Sequence, residues 1–142
     1  MEVSDVRRRV LTAITEARKT VVERRERADA TESAYETFLQ KVASPVAQQI
    51  AAVLKAEGHV FTVSTPGRGL RLDSDRGRDD FVELVLRTDT DPAEVVGRIR
   101  RTRGSRTLDE ERPVSPGTSP ADLTEEDVLE FLVAALQPWL ER

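Results

Sequence analysis

Between residues 4 and 42 the chain contains neither Gly nor Pro, and its apolar and small residues recur at intervals of three and four. Ile14, Val21, Ala28, Tyr35 and Val42 share one heptad position. Val10, Ala17 and Phe38 share the other, together with the polar Arg24 and Thr31. This pattern predicts a long coiled-coil-like helix over residues 1–43. At 1.5 Å per residue it would run roughly 60 Å, whereas a compact domain of this length is about 40 Å across. Such a helix overhangs its own domain, and its apolar stripe then calls for a partner. The alternative is a hairpin turning at residues 27–31, where Asp29 and Glu32 are spaced like a capping box. No Gly or Pro supplies that turn, so a second copy of the chain is the expected partner.

Ser44-Pro45 reads as a restart, with Ser as cap and Pro at the first helical position. Val46, Ile50, Val53 and Leu54 give the second helix an apolar face, and Gly58 ends it. The period then changes from helix to strand. Residues 59–65 are rich in β-branched side chains, Pro66-Gly67-Arg68-Gly69 is a turn, and residues 70–73 alternate as a second strand. After a charged loop at 73–80, residues 81–87 form the strongest strand pattern in the chain. Asp91-Pro92 then reads as a helix start, with Val95, Val96 and Ile99 carried on a helix to about Thr102.

Residues 107–112 suit an edge strand, and 113–121 form a Pro-rich connector. A last helix begins at Thr124 as cap, with Glu125, Glu126 and Asp127 complementing its dipole. Leu132, Leu136 and Trp139 belong to a set of apolar residues covering most of its circumference, which predicts burial on more than one side. The expected fold is therefore α+β. It has a long N-terminal coiled-coil-like helix (1–43) for oligomerisation and a small domain (44–142). That domain holds a three- or four-stranded antiparallel sheet with helices on one face, the apolar C-terminal helix among them.

Composition narrows the setting. The chain has 142 residues, 38% apolar and 34% charged, with a net charge of -4. There is no apolar run long enough to span a bilayer and no apolar block of a signal peptide near the start, so a cytoplasmic protein without membrane contact is expected. Without Cys there is no disulfide, thiolate nucleophile or Cys-based zinc site. Nineteen Arg against three Lys, and no Asn at all, suggest the coding bias of a GC-rich, bacterial-like genome. An Arg cluster therefore carries less information here than usual.

The candidate chemical motifs have plainer accounts. Residues 73–80 are acidic like a calcium loop, but Gly77 replaces a ligand, Arg78 stands where Gly is needed and Leu84 occupies the final Glu position. The 65–69 loop has Gly and Arg like a phosphate loop, yet it joins two strands and opens no helix. His59 is the single histidine, too few for a zinc site, and no serine sits in a nucleophile elbow. No catalytic residue, metal or cofactor is therefore expected.

One polar cluster stands out. Arg98, Arg100, Arg101, Arg103 and Arg106 put five positive charges in nine residues without an acid. At a helix end they would form an anion-binding surface, or simply complement the dipole. Residues 109–130 carry eight acids against one Arg, enough to neutralise the cluster. No residue motif identifies a family. The expected function is a non-enzymatic interaction module, a homo-oligomer and preferentially a dimer. Its interface would use Val10, Ile14, Ala17, Val21, Tyr35, Phe38, Val42, Leu132, Leu136 and Trp139 and would serve an unidentified protein partner. The alternative is a nucleic-acid-associated protein using the Arg98–Arg106 cluster.

Overall fold

Good helix formers without an interrupting Gly or Pro give α1, Val3–Phe38. The computed structural model describes residues 1–141, and the chain divides into two units, Met1–Ser33 and Ala34–Arg142. The first unit contains most of α1 and no other element. Its polar side chains turn back on the helix: Thr12, Thr15 and Thr20 each donate to the carbonyl four residues earlier, and Arg8 pairs with Asp5 at 3.0 Å. These local bonds orient side chains but bury nothing.

The second unit begins with the last residues of α1, where Tyr35 and Phe38 are buried and stacked 6.4 Å apart. The expected restart at Ser44-Pro45 is absent. Phe38, Ala43 and Ser44 keep right-handed helical dihedrals, Ser44 makes no cap, and the backbone runs through a π-helical stretch, Leu39–Ala43, into α2, Ser44–Ala56. The Ser44 N–H donates to the Leu39 carbonyl, five residues back. Widening the turn just before Pro45 makes room for a ring that would clash with the carbonyl four residues earlier in a regular helix. The end of α2 is as expected. Gly58 takes a left-handed φ of +89°, so the Gly58 N–H reaches the Lys55 carbonyl and the His59 N–H the Leu54 carbonyl at 2.8 Å. His59 thus closes a helix end with its backbone.

Five strands follow, not three or four: β1 Phe61–Ser64, β2 Leu70–Ser74, β3 Phe81–Arg87, β4 Glu94–Arg103 and β5 Arg106–Pro113. They pair as an antiparallel meander in chain order. The extra, interior strand β4 is the segment expected as a helix from Asp91 to Thr102. The spacing of Val95, Val96 and Ile99 does fit a helical face, but it fits a strand equally well once Val96 points to the other side. Three β-branched residues and a Gly in the interior weaken a helix. Pairing with β3 from Phe81↔Arg100 to Arg87↔Glu94 supplies the partners that a strand needs. Gly97 also suits this place. A Cβ there would lie 2.0 Å from Cζ of Phe131, so only the bare backbone lets the last helix approach the sheet.

That helix, α3, is Glu125–Leu140. Thr124 caps it as expected: its hydroxyl accepts from the Asp127 N–H, and the Asp127 carboxylate accepts from the Thr124 N–H. The core lies on one face of the sheet. Leu72, Val82 and Ile99 stand in one cross-strand row, and Leu70, Leu84 and Gly97 in the next. Val128, Phe131, Leu132, Ala135, Leu136 and Trp139 of α3 are buried with them, as are Ala43, Val46 and Ala47. An α+β architecture with helices on one sheet face is thus present.

One polar group is locked into this core. Asp80 is 2% exposed. Its Oδ1 accepts from the Thr102 N–H at 2.8 Å, its Oδ2 accepts from Trp139 Nε1 at 3.1 Å, and its carbonyl accepts from the Ser74 N–H. A single aspartate therefore joins the loop before β3 to β4 and α3. In the sequence it was one more acid of a solvated, calcium-like loop.

Candidate interaction surfaces

Of the residues expected at an interface, the structure separates two groups. Tyr35, Phe38, Leu132, Leu136 and Trp139 are buried in the core of the chain itself, and Val42 packs half-buried against it. This corrects the reading of the C-terminal helix as a subunit contact at those positions. Its over-apolar circumference is explained by position, since α3 lies between the sheet and α2. Trp139 meets Phe61 edge-on at 5.9 Å and donates to Asp80, so both its ring and its N–H are used inside the fold.

Val10, Ile14 and Val21 are between 39% and 53% exposed, and Ala17 is exposed too. Val3 and Val6 extend the stripe toward the start of the helix. Positions 3, 6, 10, 14, 17 and 21 keep the three-and-four spacing of one helix face. Leu11 and Val22 are also exposed but lie off that face.

A second apolar surface was not foreseen. Ile50, Val53 and Leu54 on α2 face Leu129 and Val133 on α3 across a groove of about 410 Å³, with Glu125 and Glu126 at its rim. Val53 is 64% exposed, and Leu129 and Val133 about two fifths. The signal in the sequence was the number of apolar residues on α3, more than one sheet-facing stripe requires.

The five arginines do not form one surface. Because the segment is a strand, alternate side chains point to opposite sides. Arg98 and Arg100 lie on the sheet face away from the helices, and Arg101 and Arg103 on the other. On the first face the charges are answered locally. Arg98 stands between Glu83 and Glu111 in the cross-strand register, and Arg100 Nε donates to Asp109 at 2.7 Å. Asp109, by that hydrogen bond and by its charge, raises the Arg100 pKa further. The same face holds the Arg71–Glu83 and Arg87–Glu111 pairs, with Arg71 4.2 Å over the Phe81 ring. It is a checkerboard of both signs, not a basic patch. Arg103 and Arg106 are directly opposed where the β4–β5 hairpin turns, with Gly104 at φ +64°. Arg101 lies on the same side two residues earlier. None of these three forms an ion pair among the described residues.

Burial raises the Tyr35 pKa well above its ordinary value, and Glu83 adds to the rise. The Tyr35 hydroxyl donates weakly, at 3.4 Å, to the Leu84 carbonyl. Two of the four acids between residues 73 and 80 have structural roles: Asp73 accepts from Ser64, and Asp80 is the core staple. No helix among the described residues is long and apolar enough to cross a membrane. The chain matches no protein-family model, no curated protein and no solved structure.

Proposed function

We propose that the protein is a self-associating interaction module whose long helix α1 is an oligomerisation element. The observation that supports this most strongly is the stripe Val3, Val6, Val10, Ile14, Ala17 and Val21, which recurs with helical period and stays exposed. In proteins most helical stability comes from packing an apolar face, not from intrinsic propensity. Covering each exposed valine or isoleucine contributes about 1 kcal/mol, so the five such positions per chain offset a substantial part of the cost of association. A dimer is the simplest closed assembly, in which each copy contributes the same surfaces.

Light scattering coupled to size-exclusion chromatography tests this reading. The wild-type chain is expected at twice the chain mass, and Ile14→Asp plus Val21→Asp at the single-chain mass. A wild type that runs as a monomer sinks the proposal.

A second reading, nucleic-acid association, is favoured by the three unpaired arginines at the β4–β5 hairpin. Two-stranded ribbons are known to enter nucleic-acid grooves. On this reading Arg101, Arg103 and Arg106 contact phosphates, and log affinity falls with log salt at a slope of about -3. Fluorescence anisotropy with duplex DNA should show binding that Arg103→Glu plus Arg106→Glu abolishes. Binding that is absent, or indifferent to salt, rejects it.

A further inference from the structure

We infer that the groove between α2 and α3 receives the first turns of α1, residues 3–14, from a second copy of the chain. The inference rests on the self-association reading and names the surface that covers the stripe.

The groove is built for an apolar ridge about two turns long. From Val46 to Val53 α2 rises roughly 10 Å, as does α1 from Val3 to Val10. Val53, Leu129 and Val133 are exposed on two facing helices, whereas Val128, Phe131, Leu132, Ala135, Leu136 and Trp139 of α3 lie in the core. Small aliphatic side chains on one helix face, such as Val3, Val6 and Val10, match a cleft between two helices lined by Ile50, Val53, Leu129 and Val133.

Charge selects the orientation. Arg7 and Arg9 flank the stripe on its two sides, about 60° and 100° from its centre at 100° per residue. Arg8 is paired to Asp5, but Arg7 and Arg9 make no ion pair among the described residues. At the groove, Glu125 and Glu126 stand at the rim in the first turn of α3. A basic-flanked apolar ridge thus meets an acid-rimmed apolar groove. Parallel pairing of α1 with α1 of another copy is the poorer match. In a parallel pair, equivalent positions face one another, so Arg24, which shares the heptad position of Val10 and Ala17, would oppose its own copy.

The chain has no cysteine, so single cysteines can be placed in the full-length protein without background. Val10→Cys and Val133→Cys chains, differently tagged, are mixed and treated with a short bismaleimide. The expected product is the mixed Val10–Val133 dimer, in clear excess over both homodimers. Predominant Val10–Val10 product overturns the inference while leaving self-association standing. Independently, Val53→Asp plus Leu129→Asp, both at exposed positions, should weaken the dimer at least about tenfold. A urea midpoint monitored through Trp139 checks that the fold survives. An unchanged dimer for that variant, alongside dissociation by Ile14→Asp plus Val21→Asp, rejects the groove alone. A monomeric wild type rejects both groove and self-association.

Discussion

In α1, before residue 34, Val10, Ile14 and Val21 recur with a regular helical period and remain exposed. In α3 the apolar residues are crowded on more than one side, yet Val128, Leu132, Leu136 and Trp139 are buried to within 2%. The two helices have similar means of burying apolar surface but different surroundings. For α3 the chain provides a sheet on one side and α2 on another. Val10, Ile14 and Val21 of α1 stay exposed instead. The contrast shows that a periodic pattern reports which face of a helix is apolar and is silent on what covers it.

Experiments can break this contrast at either end. The largest effect is expected in the body. Leu132→Ala should cost about 3 kcal/mol, through lost transfer energy and the cavity left behind. Urea unfolding followed by Trp139, the single Trp, reports it. A loss below about 1 kcal/mol would mean that α3 is not packed as described. Gly97→Ala should cost about 2 kcal/mol by the same measurement, because its Cβ falls on the Phe131 ring. Pairing it with Phe131→Leu should recover part of that loss.

Asp80→Ala also removes about 2 kcal/mol, since the Thr102 N–H and the Trp139 indole N–H lose their shared acceptor. A blue- or red-shifted Trp139 emission in the folded state should accompany the loss, and unchanged emission with unchanged stability would discount the staple.

Tyr35 yields a smaller, pH-dependent effect. Its folded pKa lies above its unfolded value of 10.0. Below pH 10 both states hold the proton, and the stabilisation is fully present. Above it the unfolded state releases the proton first, so stability falls by about 1.4 kcal/mol at one unit higher. Tyr35→Phe should flatten that alkaline slope, and an unchanged slope would place the titration elsewhere. The smallest effect belongs to α1. Val22→Ser, exposed but off the stripe, should leave both the urea midpoint and the oligomer mass within error, about 0.5 kcal/mol at most. Dissociation by this change would put the contact on the wrong side of the helix.

Much of the fold was legible because local chemistry encodes it. The absence of Gly and Pro marked α1, Gly58 marked the end of α2, Thr124 and Asp127 the start of α3, and the apolar run in 81–87 the central strand. The failures were places where two local readings tie or where local rules are overridden. Val95, Val96 and Ile99 satisfy helical and extended spacing alike, and β3 decided for the strand. That error also misplaced the basic cluster, because a strand distributes Arg98 to Arg103 over two faces where a helix end would have gathered them. Pro45 reads as a helix start, but a π-helical turn lets the helix pass through it.

The sequence by itself determined the elements at which backbone propensity and caps agree, and it determined that α1 carries an apolar stripe. Only the tertiary structure decided which apolar residues are core and which remain exposed, because burial depends on what lies opposite a side chain. It also decided the roles of Asp80 and Gly97, whose identities matter through contacts more than 20 residues away in the chain. No local pattern carries such contacts, since they exist only once β4 and α3 have been brought against the same sheet.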